Sequence, residues 1–139
     1  MRVALLLALA LLLAAAAWVR LAPMDPARWH ADPGQGQDGP NSATLRQPHP
    51  LPPAQALAVL AAVAEATPRT SRLAGSPQDG RITWVTRSRI WGFADFTTAA
   101  AAPEGEGSLL VLHARARFGY SDLGVNRARL AAWAAALPQ

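Results

Sequence analysis

The start of the chain constrains it most: Val3 to Val19 is an unbroken apolar run of 17 positions, bounded by Arg2 and Arg20. As a helix, that is the shortest length that crosses the hydrocarbon core of a bilayer. A helix apolar on every side has no polar face to offer water, so it cannot sit at the edge of a small soluble domain. Two fates fit it. As an uncleaved anchor, the run ends on Trp18, which suits a membrane interface, and on Arg20, which can snorkel to the headgroups. As a secretory signal, it has a small-x-small cleavage site in Ala14-Ala15-Ala16 or Ala15-Ala16-Ala17. Trp18 and Arg20 favour the anchor, and in both cases the rest of the chain crosses the membrane. Arg2 and the α-amine favour a cytoplasmic N-terminus, although Arg20 and Arg28 on the other side weaken the charge asymmetry. The expected address is a bacterial inner membrane, crossed once through residues 3–19, with a periplasmic C-terminal domain. The alternative is release into the periplasm after signal cleavage.

The remainder of the chain is one small domain. The 139 residues include 13 arginines, no lysine, no cysteine and 32 alanines, a pattern of GC-rich coding more than of chemical choice. Without cysteine there is no disulfide framework, thiol nucleophile or Cys-ligated zinc. The net charge of +4 and pI near 11.3 suggest a nucleic-acid binder until the arginines are located. Setting aside Arg2 and Arg20 leaves 11 arginines against nine acids, or +2. No dense basic stripe or RNA-binding aromatic motif is present, so no nucleic-acid partner is expected.

Residues 23–52 are dense in proline and glycine and read as a tether without helix or strand, with Asp32 to Pro40 as a flexible loop. Trp29 within it is a local anchor for the folded domain or the interface, and His30 and His49 read as loop residues. Residues 53–139 read as an α+β domain: a small antiparallel sheet of about four strands covered on one face by two helices. Helical spacing of Leu57, Leu60, Val63 and Ala64 predicts a helix over Pro53 to Ala66, ended by Pro68. Arg69 to Ala74 predicts a short strand, followed by the turn Ser76-Pro77-Gln78-Asp79-Gly80. Arg81 to Ile90 alternates as a half-buried strand. Phe93 to Ala101 and Ser108 to Arg117 complete the meander around a loop at residues 103–107. On the last strand Leu110, Leu112, Ala114 and Ala116 face one way, and Leu109, Val111, His113, Arg115 and Arg117 the other. A final helix places Leu123, Leu130, Trp133 and Leu137 on its apolar side, with Ser121 or Asp122 as N-cap. Trp84, Trp91 and Trp133 are expected to stabilise so small a core.

Two stretches share a pattern: Arg-x-Arg, a hydrophobe, Gly, an aromatic, a small residue, Asp and a hydrophobe. They run from Arg87 to Phe96, with one residue skipped, and from Arg115 to Leu123. Arg-x-Arg on a strand sets both guanidinium groups on one face ~7 Å apart. If the strands are neighbours, Arg87, Arg89, Arg115 and Arg117 concentrate four positive charges, to be balanced by Asp95, Asp122 or a bound anion. With His113 and Arg127 they form the candidate ligand site, for a small anion or an anionic lipid headgroup. Gly119, Tyr120, Asp122, Gly124 and Asn126 form a structural turn beside it, in which Asp122 caps the last helix and Gly124 relieves crowding.

The run Arg115-x-Arg117-Phe118-Gly119-Tyr120-Ser121-Asp122-Leu123-Gly124-Val125-Asn126-Arg127-x-Arg129 resembles the C-terminal signature of domain-of-unknown-function family 1499, found in bacterial and plant proteins. Trp29-His30-x-Asp32-Pro33, Gly39-Pro40-Asn41 and Arg87-Ser88-Arg89 resemble its upstream motifs, so the resemblance covers about residues 25–137. Many relatives carry cysteine after the Pro-Asn pair; Ser42 stands there in this chain, so no thiol chemistry carries over. The resemblance implies a domain and no activity.

Three function classes fit these residues. The first is a non-enzymatic binding module whose arginine face recognises an anionic group. The second is a structural or assembly protein that meets another envelope protein through its sheet. The third, an enzyme, would use His113, Tyr120 and Asp122 as acid–base groups, but no nucleophile elbow, phosphate loop, dinucleotide fingerprint or metal-ligand spacing supports it, so no catalytic residue, metal or cofactor is assigned. The topology is directly testable. The protein should stay in the membrane fraction through an alkaline carbonate wash, with its C-terminus outside the cytoplasm. A released chain starting near Ala17 or Trp18 would show signal cleavage, and an active cytoplasmic reporter at the C-terminus would reject both addresses.

Overall fold

The computed structural model describes residues 1–138. The apolar run becomes α1 (Arg2–Leu21), the one helix among the described residues long and apolar enough to cross a membrane by length and composition. It is followed by a single helical turn, α2 (Pro26–Trp29), and a 3-10 turn at Pro33–Gln35. Aspartates start both: Asp25 accepts from the Ala27 N–H and Asp32 from the Gly34 N–H, each 2.9 Å away, ahead of a proline that needs no partner for its nitrogen. Then come β1 (Ser42–His49), α3 (Pro53–Ala66), β2 (Thr70–Ser76), β3 (Arg81–Arg87), β4 (Ala94–Glu104), β5 (Gly107–Ala116) and α4 (Val125–Ala135).

The strands form one antiparallel sheet in the order β1-β5-β4-β3-β2. The helices α3 and α4 cover one face. Leu57 and Leu60 of α3 and Leu130 and Trp133 of α4 pack on Ile82, Trp84, Ala99, Leu110 and Leu112. Trp84 and Trp133 meet edge to face at 5.7 Å. Their indole N–H groups do not stay unsatisfied: Trp84 donates to Glu65 Oε1 at 3.2 Å and Trp133 to Thr67 Oγ1 at 2.9 Å.

The expected α+β architecture is present, with corrections. The sheet has five strands, because β1 lies inside the segment read as a tether. Pro40 and Pro48 leave seven residues between them, enough for a strand, and Pro48 is tolerated because β1 is an edge strand with a row of N–H positions that need no partner. The second face of the sheet is not bare. Residues 22–36 cross it and build a smaller core, in which Trp29 stacks on Phe96 with centroids 3.8 Å apart and rings within 7° of parallel, against Val85 and Ala94. Hence β3 is buried on both faces from Ile82 to Thr86, not half-buried, and it ends at Arg87, before Arg89. Trp91 is an exposed loop residue, and Leu123 points to solvent instead of the core.

The β5–α4 connection is ordered by Asp122. The helix begins one residue past a left-handed Gly124 (φ 81°), so neither Ser121 nor Asp122 occupies the formal N-cap position. Asp122 still does the chemistry of a cap. Its carboxylate accepts from the Gly124 N–H at 2.9 Å, the Asn126 N–H at 3.0 Å and Asn126 Nδ2 at 2.7 Å. Asn126, itself fully buried, also accepts from Arg129 Nη1 at 2.6 Å, and Arg129 pairs with Asp95 at 2.9 Å. Burial alone would raise the Asp122 pKa, but the donors from Asn126 and Gly124 together outweigh it and lower the pKa below the ordinary 3.8. A depressed carboxylate stabilises the fold above its unfolded pKa and loses that contribution as pH falls towards the folded value. Asp122→Ala should therefore cost about 1–2 kcal/mol near neutral pH by urea denaturation. The gap from wild type should shrink once pH drops below 3.8; a gap that is absent, or constant with pH, removes Asp122 from this role.

Candidate functional site

The four arginines of the repeated pattern meet different fates. β4 separates β3 from β5, so Arg87 and Arg117 flank Ala94 from opposite sides, Arg87 as its register partner and Arg117 by donating its N–H to the Ala94 carbonyl. Their guanidinium groups reach the chain leaving α1. Arg87 donates to the carbonyls of Gly92 (2.9 Å), Arg20 (3.2 Å) and Val19 (3.5 Å). Arg117 donates to the Ala22 carbonyl at 3.2 Å and lies over the Phe118 ring. The acceptors at Val19, Arg20 and Ala22 belong to the last turn of α1 and its C-cap, where helix carbonyls lack intrahelical donors and carry partial negative charge. Arg89 is exposed in the β3–β4 turn and does not share a face with Arg87. Arg127 lies on α4 and salt-bridges Asp38 at 2.8 Å. The balancing role expected of Asp95 and Asp122 also changes hands: Asp95 pairs with Arg129, and Asp122 holds its own turn.

Arg115 and His113 remain together. Both project from β5 onto the face crossed by residues 22–36, and they line a cleft of about 230 Å³ with Trp29, Asp32, Gln35 and Thr98. The guanidinium lies over the Trp29 ring, 4.7 Å from its centroid, and donates to the Arg28 carbonyl at 3.1 Å. Arg28 stands over the same ring at 5.0 Å. Burial, and then the charge of Arg28, lower the Arg115 pKa: the cation is held partly out of water beside a like charge. Burial also lowers the His113 pKa, Arg115 adds to this, and Asp38 opposes it, so His113 is neutral at physiological pH. Its Nδ1 bonds Thr44 Oγ1 at 2.9 Å, which orients the ring. Gly36 closes the wall opposite: a Cβ there would overlap the His113 ring, so only glycine lets the backbone pass so near.

The cleft floor is set by a chain of hydroxyls. Thr98 donates to the Trp29 carbonyl at 3.2 Å, Thr83 bonds Thr98 at 2.8 Å and His30 Nδ1 bonds Thr83 at 2.8 Å. Once Thr98 gives its proton to Trp29, Thr83 must give its own to Thr98, and His30 then donates from Nδ1. His30 is thus a loop residue with a structural task, whereas His49 lies at the end of β1 instead of in a loop, buried with its Nε2 on the Pro138 carbonyl at 3.2 Å.

The set considered for acid–base work does not converge. His113 bonds Thr44, Asp122 bonds Asn126 and its own turn, and Tyr120 is exposed. Among the described residues no cluster of three or more His, Asp or Glu is arranged to hold a metal. Sequence reasoning missed Gln35, Gly36 and Thr98. The proximity of Trp29, His30, Asp32 and Pro33 in one motif was the available signal that this stretch builds a wall.

Solved structures similar to this chain include protein CV1439 from Chromobacterium violaceum, with a TM-score of 0.50 at 16% identity, covering 68% of this chain and 90% of that one. TTHA0849 from Thermus thermophilus also matches, with a TM-score of 0.35 at 14% identity over 67% of this chain and 86% of the other. At these identities the first likeness shows a shared fold and nothing of function. No curated protein matches the chain. The model of the protein family of unknown function DUF1499 matches residues 23–137, from the residue after the C-cap of α1 to just past the end of the last helix, and the chain belongs to that family.

Proposed function

We propose that this is a membrane-anchored envelope protein, α1 its single span of the inner membrane, whose periplasmic domain is a non-enzymatic module binding a small anionic group in the cleft between Trp29, His113 and Arg115. The observation that carries this is the state of Arg115. Its guanidinium is partly desolvated over an aromatic ring and beside Arg28, with one donor engaged by a neutral carbonyl and no acid among the described residues paired to it. A carboxylate, phosphate or sulfate group entering the cleft would supply the missing counter-charge, and the Gln35 amide, which also reaches Asp32, would offer a further hydrogen bond. Arg87 and Arg117 are excluded from this site and given a structural task. The reading is one of recognition: the polar side chains of the cleft beside Arg115 are already engaged, Asp32 by the Gly34 N–H, His113 by Thr44 and Thr98 by the Trp29 carbonyl.

Thermal shift at constant ionic strength tests it, since screening alone moves exposed charge pairs. Phosphate, sulfate and citrate should be compared on wild type, Arg115→Gln and Arg87→Gln. At least one anion should raise the wild-type melting temperature with concentration. Arg115→Gln should abolish the response, whereas Arg87→Gln should lower the melting temperature and keep it. No anion effect beyond the ionic-strength control, or an intact response in Arg115→Gln, overturns the site and leaves the assembly role, in which the sheet face meets another envelope protein.

A further inference from the structure

Outside α1 and its N-cap Met1, the large apolar side chains left exposed among the described residues are Ile90, Trp91, Phe93, Tyr120, Leu123 and Val125. All six sit at one end of the sheet, in the β3–β4 connection and in the β5–α4 connection up to the first residue of α4. The opposite end, ~35 Å away along the 11-residue β4, carries Gln78, Asp79 and Glu106 in its turns and Glu104 at the end of β4. Scattered exposed hydrophobes need no explanation, but a set gathered at one end marks a contact surface.

What covers this end is indicated by α1. The helix terminates here: Arg20 Nη2 donates to the Ile90 carbonyl at 2.8 Å, and Arg87 holds the carbonyls of Val19 and Arg20. Trp91 and Phe93 face Leu12, Ala15, Ala16 and Val19 across a shared groove. Leu12 is seven residues, or ~10 Å, further into the apolar run than Val19. If that run crosses a bilayer, the β3–β4 loop stands beside the helix within the same leaflet. We infer that this end of the sheet is a lipid footing: the two loops seat in the boundary between headgroups and acyl chains of the bilayer that α1 crosses. The inference rests on the anchor proposed above and is independent of the anion cleft.

The footing accounts for features that the cleft leaves over. Both halves of the repeated pattern end in these loops, and its glycine does the same job in each, taking a left-handed backbone at Gly92 (φ 73°) and Gly119 (φ 92°) that turns the chain sharply and leaves an aromatic at the tip. Arg89 and Arg20 stand at the depth of the headgroup phosphates, with Trp91 and Tyr120 as interfacial aromatics. Leu123 is 92% exposed although its backbone is left-handed (φ 55°), a conformation that favours glycine or asparagine. A bulky apolar residue held there, pointing away from the domain, has a place in the acyl boundary.

The absence of cysteine makes the test direct. The full chain is reconstituted in vesicles of phosphatidylethanolamine and phosphatidylglycerol, with a nitroxide label attached in turn at Trp91→Cys, Tyr120→Cys and Leu123→Cys. Leu12→Cys serves as the reference within α1 and Glu106→Cys as the reference at the far end. Collision rates are read with oxygen, which concentrates in the bilayer, and with a water-soluble nickel complex. The oxygen-to-nickel ratio at 91, 120 and 123 should exceed that at 106 several-fold and approach that at 12. Loop labels as water-exposed as 106, with 12 embedded, overturn the footing and spare the anchor; a water-exposed label at 12 overturns both. Loop labels shielded from both reagents would show a second copy of the chain covering this end, and that also overturns the lipid footing.

Discussion

The structure turns on a shortage of donors at the end of α1. A helix that stops leaves its last carbonyls without intrahelical partners, and here the chain beyond the helix is too rich in proline to supply them. Arg87 and Arg117, at the ends of two strands separated by β4, supply them instead, holding the carbonyls of Val19, Arg20 and Ala22. An arginine at a helix C-terminus also meets the negative end of the helix dipole. The forked guanidinium suits this task better than an ammonium would, because it can hold two successive carbonyls from one fixed position.

That clasp sets the course of residues 22–36. Led away from the helix end along the sheet, the segment places Trp29 flat on Phe96, the Arg28 carbonyl opposite Arg115 and the Trp29 carbonyl opposite Thr98. A sheet covered by helices on one side alone would leave Val85, Ala94 and Phe96 wet. The crossing segment buries them and turns β3 into a strand enclosed on both faces. The cleft is a by-product of the same crossing: one wall is β5, and the other is the chain arriving from the helix, passing so close at Gly36 that a side chain there would strike His113.

The α+β class, both long helices, the facing of β5 and the burial of Trp84 and Trp133 were legible because periodicity reports burial directly. Ala43 and Leu45 were not legible as strand, since the density of proline around them is a local signal and edge position, which makes Pro48 harmless, is a tertiary fact. The arginine face was read as a cluster because Arg-x-Arg fixes which side chains share a face but says nothing of which strands are neighbours. β4 stands between the two pairs, and backbone carbonyls hold Arg87 and Arg117, two of the four charges expected to need an anion, while Arg89 lies in an exposed turn. Leu123 looked like core by helical spacing; the helix starts later, after Gly124, and the left-handed turn points it outward.

The clasp and the loop end depend on different parts of the N-terminal run, and this separates the two addresses physically. The acceptors of Arg87 and Arg117 begin at Val19, beyond either candidate cleavage point, so a processed chain would keep the clasp, the Trp29 stack and the cleft. The apolar neighbours of Trp91 and Phe93 begin at Leu12 and include Ala15 and Ala16. Cleavage would strip most of that wall and leave the two aromatics facing water with little reason to be apolar. With the anchor proposed above that wall is kept; in a processed chain it is lost, while the clasp's acceptor carbonyls from Val19 onward remain in the chain.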